Sequence, residues 1–284
     1  MAELLRGAPV AAAITEELIR RTKALKEKGV TPCLAILRVG QRPDDVAYER
    51  AAVRRCERVG IRVESIRLPE DCSQEALLDA IRLVNRNDGV HGCLLFRPLP
   101  GKLDEQAVCE ALCPAKDVDG MTAASLNMVF TGRGTGYAPC TAQSCLELLD
   151  HYGIDPAGKN VAVIGRSLVI GKPVSLMLQS RNATVTMCHT QTADLPAVCR
   201  RAEILVVAAG RAGVVDERYV NQNQVVLDVG VNLDPEGGIC GDVRFDRVEP
   251  LVRAISPVPS GVGSVTTAVL CKHVIQAAEK AAGL

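Results

Sequence analysis

The sequence predicts an α/β protein built on parallel sheets, and three observations predict it. Strand-like and helix-like segments alternate through the first half, the pattern of parallel strands joined by crossover helices. Aromatic residues make up only 2% with no Trp, so the cores must be built from Val, Leu, Ile and Ala. Such cores suit parallel strands covered by Ala-rich helices. The second half opens on an apolar strand, VAVI (161–164), that feeds a glycine turn and then a helix.

The elements follow in order. Residues 9–28 read as a helix ended by Gly29, and PCLAILRV (32–39) as a buried strand. A second helix spans 43–59 and stops at Gly60; 61–68 alternates apolar and polar, as a strand does. Ser73 opens a third helix, with Glu75 and Asp79 in its first turns, and Asn87-Asp88-Gly89 marks a turn. Residues 90–96 form the third strand. The stretch 98–139 (PLPG, CPAKDVDG, TGRGTG) reads as loop-rich, and 141–152 resumes a helix. ATVTMC (183–188), EILVVAAG (203–210) and QVVLDVGVN (224–232) each read as a buried strand, and the final segment as an amphipathic helix.

Composition bounds the function. The 284 residues suffice for about two domains, each with its own core. Lys plus Arg equal Asp plus Glu at 33 each, so the basic excess of a nucleic-acid protein is missing. With 48% hydrophobic and 23% charged residues the chain is not a disordered one. Acidic residues interrupt the start, MAELLRGAPVAAAITEELIRR, so no secretory signal is expected there. No apolar run reaches about 18 residues, so no membrane partner and a cytoplasmic location are expected. The 12 cysteines are dispersed without a C-x-x-C pair, and the four histidines do not cluster with them. They read as small buried hydrophobes, with no metal site.

The turn after VAVI is Gly165-Arg166-Ser167-Leu168-Val169-Ile170-Gly171-Lys172-Pro173. A helix N-terminus presents unpaired N–H groups and partial positive charge, which suits phosphate. Pro173 fits the first helical turn, where its missing N–H costs nothing. The spacing is not G-x-G-x-x-G, and an ordinary βα turn has the same appearance. Arg166 can reach a phosphate, and the next strand ends in Cys188-His189-Thr190, without the Asp or Glu that selects NAD. NADP is therefore expected over NAD. His189 alone reads as a polar strand-end residue.

Several separated strings carry a resemblance: PCLAILRVGQRPDDVAYE (32–49), HGCLLFRPLP (91–100), PAKDVDG (114–120), PCT (139–141), VAVIGRSLVIGKP (161–173), TVTMCHT (184–190), ILVVAAG (204–210), VVLDVGVN (225–232), GDV (241–243) and ISPVPSGVGSVTTA (255–268). In this order, over nearly the whole chain, they resemble the FolD family, methylenetetrahydrofolate dehydrogenase/methenyltetrahydrofolate cyclohydrolase.

The resemblance implies two α/β domains flanking a cleft. The first is a folate-binding catalytic domain over 1–140, completed by the C-terminal helix 265–284. The second is a Rossmann-like, NAD(P)-binding domain with a parallel sheet over 141–264. It implies a homodimer that oxidises 5,10-methylenetetrahydrofolate with NAD(P) and usually hydrolyses the methenyl product to 10-formyltetrahydrofolate. Tyr48 falls on the substrate-stacking tyrosine and Asp119 on the pterin-recognising aspartate, the two positions taken as catalytic. A phenol ring can cover the p-aminobenzoyl ring, and a carboxylate can accept two N–H bonds from an aminopyrimidinone edge. Capping of a loop by Asp117 or Asp119 is the competing explanation for those acids. Pro259 and Gly261 fall in the loop closing over pterin and nicotinamide. Gly165, Arg166, Ser167, Gly171, Thr190 and Val231 fall on the cofactor side.

Two departures from the family pattern matter most. The lysine expected four residues after the tyrosine is Ala52, and the glutamine that orients it is Phe96, followed by Arg97 in place of Leu. Both positions serve hydrolysis, which needs proton transfer worth about 10²–10⁴-fold. Hydride transfer needs mainly orientation. The expectation is an NADP-dependent dehydrogenase with weak or absent cyclohydrolase activity, working beside a separate cyclohydrolase. The alternatives are a bifunctional enzyme rescued by Arg97, Arg50, Arg54 or Arg55, and a catalytically inert folate- or nucleotide-binding homologue. Lesser departures are Asp44-Asp45 before the tyrosine and Ser260 and Ser264 in the closing loop.

Overall fold

The computed structural model describes residues 1–234 and 236–284. In chain order the first elements are β1 (Glu3–Leu4), α1 (Gly7–Glu27), β2 (Cys33–Val39), α2 (Pro43–Val59), β3 (Arg62–Leu68), α3 (Gln74–Arg86) and β4 (Gly92–Leu95). Then come α4 (Glu105–Ala111), α5 (Ala123–Thr131) and α6 (Cys140–His151). The Rossmann-like portion runs β5 (Asn160–Ile164), α7 (Gly171–Gln179), β6 (Thr184–Cys188), α8 (Leu195–Arg201), β7 (Ile204–Val207) and β8 (Val225–Asp228). It continues with β9 (Asn232–Leu233), β10 (Ile239–Cys240), α9 (Phe245–Val248), β11 (Ala254–Ile255) and α10 (Thr266–Ala281).

The chain forms two compact units, residues 13–140 with 267–284 and residues 1–12 with 141–266. The first twelve residues therefore group with the second half, whereas the sequence reading places them in 1–140. The cause is β1, which pairs in parallel with β11 at the sheet edge through Glu3–Ala254 and Leu4–Ile255.

Each unit is a parallel sheet covered by helices, as expected. In the 13–140 unit the order is β3-β2-β4. Cys33, Ala35, Leu37, Cys93 and Leu95 point from it into a core closed by Leu77, Ile81 and Val84 of α3 and Val108 of α4. In the other unit the order is β1-β11-β8-β7-β5-β6. Its core includes Ala162, Ile164, Leu205, Val207, Val226 and Ile255. The small aliphatic residues counted in the sequence are what these layers bury. Among the described residues no helix is long and apolar enough to cross a membrane.

Three sequence readings need correction. The stretch 98–139 is not simply irregular: it holds α4, α5 and a 3-10 turn at Pro114–Lys116. The two helices have seven and nine residues, too few to repeat a 3.6-residue pattern. Local chemistry starts them instead. Asp104 accepts from the Ala107 N–H at 3.0 Å, and Thr122 accepts from the Ser125 N–H at 3.2 Å. Second, β6 is not a buried strand: it lies at the sheet edge with Thr184, Thr186 and Met187 exposed and Cys188 buried. Third, residues 224–232 are not one strand, because the run breaks after Asp228 and resumes as β9.

Candidate functional site

Helix α2 carries the first group. Pro43 occupies its first turn, Asp44 and Asp45 sit near its positive end, and Gly60 closes it at φ +88°. The residues buried along it are Asp45, Glu49, Ala52, Cys56 and Val59. Tyr48 is half-buried, and its ring meets Phe96 edge to face, with centroids 5.9 Å apart at 81°. Ala52 is 0% exposed and Phe96 is 8% exposed. The two positions expected to be lysine and glutamine are thus buried and apolar, and Phe96 touches Tyr48.

The expected arginines are engaged elsewhere or face solvent. Arg55 donates to Thr15 Oγ1 at 2.8 Å. Arg97 lies 3.5 Å from Glu105, while Arg50 and Arg54 are exposed. Asp45 is buried 3.8 Å from Arg42.

The Lys116-to-Gly120 loop separates its two acids. Lys116 Nζ donates to the carbonyls of Val84, Asn85 and Asn87 at 2.8, 3.1 and 2.7 Å, closing the end of α3. Asp117 is fully buried and accepts from Met121 N, Thr122 N and Ser125 Oγ at 3.0, 2.8 and 2.6 Å. The capping role therefore belongs to Asp117. Val118 packs against Gly92, where a Cβ would lie 2.6 Å from a Val118 methyl. Its carbonyl accepts from His273 Nδ1 at 2.8 Å and from the Cys140 thiol at 3.3 Å. Asp119 keeps part of its surface open. Burial pushes its carboxyl up to about 6, opposed by the charge of Arg97 and reinforced by Asp117, with a thiol bond from Cys140 lowering it.

The second unit carries the glycine turn. Gly165 has φ +124° and donates to the Cys188 carbonyl at 3.0 Å. A Cβ there would lie 2.1 Å from the Ala208 carbonyl oxygen, and one on Gly171 would lie 2.2 Å from the Gly165 carbonyl oxygen. Both glycines are required by close backbone approach. Gly165→Ala should destabilise the protein by about 3 kcal/mol or more. Thermal unfolding checks this, and an unchanged midpoint would refute the packing argument. Ser167 Oγ accepts from Ile170 N at 3.1 Å and shapes the turn, leaving Arg166, Ser167 and Thr190 exposed. His189 Nδ1 accepts the Gln191 N–H at 3.2 Å, which fits a strand-end role.

Two further acids organise this unit and were not singled out from the sequence. Asp228 accepts from Gly230, Asp242 and Val243 N–H at 3.0, 3.1 and 3.0 Å. Burial pushes its carboxyl up to about 7 against those bonds. Asp242 accepts from Ala209, Gly210 and Arg211 N–H at 2.6, 2.9 and 2.9 Å, pinning the loop after β7. The available signal was that Asp228 ends the apolar run VVL two residues before Gly230, and that Asp242 directly follows Gly241. A cavity of about 190 Å³ adjoins Asp228 and brings together Val231, Pro259 and Gly261 with Gly230 and Pro257. Ser260 stands in its wall at φ +85°, and its carbonyl accepts the Gly7 N–H at 2.8 Å. Among the described residues no group of three or more His, Cys, Asp and Glu is placed to hold a metal.

Residues 5–119 match the family model for the tetrahydrofolate dehydrogenase/cyclohydrolase catalytic domain, and residues 139–282 match that for its NAD(P)-binding domain. The chain belongs to the tetrahydrofolate dehydrogenase/cyclohydrolase family. It is 50% identical over 286 residues to the bifunctional protein FolD of Carboxydothermus hydrogenoformans, covering 100% of each. It is 45% identical over 280 residues to that of Clostridium botulinum, covering 99% of each. Among solved structures, the FolD of Campylobacter jejuni superposes with a TM-score of 0.96 at 36% identity, covering 99% of each chain. The FolD of Trypanosoma brucei, solved with NADP cofactor and inhibitor, superposes at 0.94 and 32% identity, covering 100% of this chain and 99% of its own. The catalytic-domain match thus covers Tyr48 and Asp119, and the NAD(P)-binding-domain match covers Gly165 and Val231.

Proposed function

We propose that this member of the family oxidises 5,10-methylenetetrahydrofolate with NADP and has lost most or all of the cyclohydrolase step. One observation carries the reading: Ala52, one helical turn from Tyr48, and Phe96, against the Tyr48 ring, are both buried and apolar where the family pattern has its lysine and glutamine.

The chemistry separates along that line. Tyr48 offers a ring face for the p-aminobenzoyl group, and ionised Asp119 offers two acceptors to the pterin edge. These contacts hold the bridge carbon in place. Oxidation removes hydride from that carbon, and the adjacent nitrogen lone pair fills the vacancy, so no side chain need take a proton. When bound, the nicotinamide accepts the hydride. The cavity at Val231, Pro259 and Gly261 has apolar and glycine walls of the kind a flat ring requires. The turn at Gly165–Gly171 opens α7 with Arg166 and Ser167 exposed for phosphate.

Ring opening of the methenyl product needs water activation and proton transfer. Alanine has no titratable group, and the phenylalanine ring offers neither a proton nor an acceptor. The exposed Arg50 and Arg54, and Arg55 and Arg97 with their own partners, are effectively always protonated and serve poorly as shuttles. The intact bifunctional enzyme is the second reading, favoured by relatives at 45–50% identity that are named bifunctional. Under the first reading the cell needs a separate cyclohydrolase. The reading also includes a cytoplasmic homodimer.

The cofactor choice rests on Arg166 in the turn and on His189 and Thr190 at the end of β6, where no carboxylate stands. We expect a KM for NADP at least tenfold below that for NAD. Steady-state kinetics with each cofactor check this, and a preference for NAD would remove the assignment.

A further inference from the structure

Glu49 follows Tyr48 on α2 and is only 4% exposed. A carboxylate there has lost most of its hydration, which is unfavourable unless it is well paired. Its partners come from the sheet. Arg38 Nε donates to Oε2 at 2.7 Å; Arg67 donates to Oε1 from Nη2 at 2.9 Å and from Nε at 3.3 Å. Ser65 Oγ stands 3.5 Å from the same oxygen. Burial pushes the carboxyl upward, but the two arginines outweigh it and hold the group below its ordinary value. Arg38 is itself 6% exposed and also donates to the Gly40 carbonyl.

The place of Arg38 gives the pair its meaning. β2 and β4 are in register at Leu37 and Leu95, and Phe96 N donates to the Leu37 carbonyl at 3.1 Å, extending the ladder. Arg38 and Phe96 therefore stand side by side on the next rung. Both face away from the core that holds Leu37 and Leu95. Helix α2 thus meets the sheet at two adjacent points: Tyr48 on Phe96 and Glu49 on Arg38. The ring contact fixes distance but tolerates sliding and tilt. The guanidinium–carboxylate contacts are directional: Arg38 Nε takes one carboxylate oxygen and Arg67 takes the other, so the carboxylate is held from two sides.

We propose that the Glu49–Arg38 ion pair, braced by Arg67, is a positioning device that sets the height and tilt of the Tyr48 ring for substrate stacking. This rests on the reading of Tyr48 as the folate-stacking residue. A purely stabilising role fits less well. Buried ion pairs replaced by apolar residues of similar volume often leave stability unchanged or raised, and Ala52, Cys56 and Val59 already anchor the same helix. What an apolar replacement does not reproduce is the fixed angle. Tyr48 is read as touching the p-aminobenzoyl ring and not the bridge carbon, so a lost angle weakens folate binding more than it slows the reaction.

The test is the double variant R38M/E49L beside Y48A, assayed with methylenetetrahydrofolate and NADP. We expect R38M/E49L to melt near the wild-type temperature. Its KM for the folate should rise about tenfold, with kcat changed less than threefold and KM for NADP unchanged. Should that variant fail to fold, E49Q keeps the size and one acceptor, and its folate KM should rise about threefold. A wild-type folate KM in a folded R38M/E49L, or in E49Q where the double variant does not fold, overturns the proposal if Y48A raises that KM. An unchanged KM in Y48A overturns the stacking role of Tyr48, and this proposal with it.

Discussion

The double variant A52K/F96Q should open the methenyl ring about 10²–10⁴ times faster than the parent protein, the contribution of one positioned acid/base. Position 52 lies one helical turn beyond Tyr48 on a buried stripe, so a lysine placed there enters a desolvated setting. Desolvation lowers a lysine pKa toward neutrality, where an amine can both take and give a proton. Phe96 blocks much of this gain by itself. Its ring edge holds the space beside Tyr48 and offers no acceptor to orient an ammonium group. A52K alone should therefore gain far less than the pair, and the shortfall measures the coupling between the two positions. Dehydrogenase activity on the same preparation reports correct folding. A double variant that oxidises substrate normally and gains no ring opening would show that the missing groups lie elsewhere.

Asp119→Asn should lower kcat/KM for oxidation by about 10²–10⁴. Two hydrogen bonds to a charged acceptor contribute about 1.5–3 kcal/mol each, and an amide presents an N–H₂ donor where the pterin edge also donates. The pH profile has a definite sign. Burial pushes the Asp119 carboxyl up to about 6 and Arg97 opposes the shift, so the free site loses its acceptor charge as pH falls through that value. Folate KM should rise toward tenfold per pH unit below about 6, and D119N should remove this dependence. A raised carboxyl also favours the protonated folded state, so unliganded stability should decline as pH rises from about 4 to about 6. Wild-type kinetics in D119N would take the pterin role from this residue.

Much of this was legible in the sequence because it rests on short periods and turn chemistry. The β-α-β alternation, the ends of α2 at Pro43 and Gly60, and the strand feeding Gly165 all follow from local rules. The two acids of the Lys116-to-Gly120 loop could not be told apart that way. Only the packing of α5 reveals that Asp117 is consumed by three local donors, leaving Asp119 part of its surface. The Glu49–Arg38 pair was hidden for a similar reason. Charged residues crowd α2, so nothing in the sequence sets Glu49 apart from them, although the spacing 45, 49, 52, 56, 59 marks the stripe that packs inward. Strand β1 escaped because two residues carry no pattern, and its pairing with β11 joins opposite ends of the sequence. Strand β6 misled because an edge strand and a buried one share β-branched residues.

The most direct test of the central claim uses one purified preparation and two assays. Reduction of NADP by methylenetetrahydrofolate and the decay of methenyltetrahydrofolate absorbance are followed in the same buffer. Rapid cofactor reduction with methenyl decay at the rate seen without enzyme is the predicted result. Enzyme-dependent decay at a rate comparable to hydride transfer would contradict it.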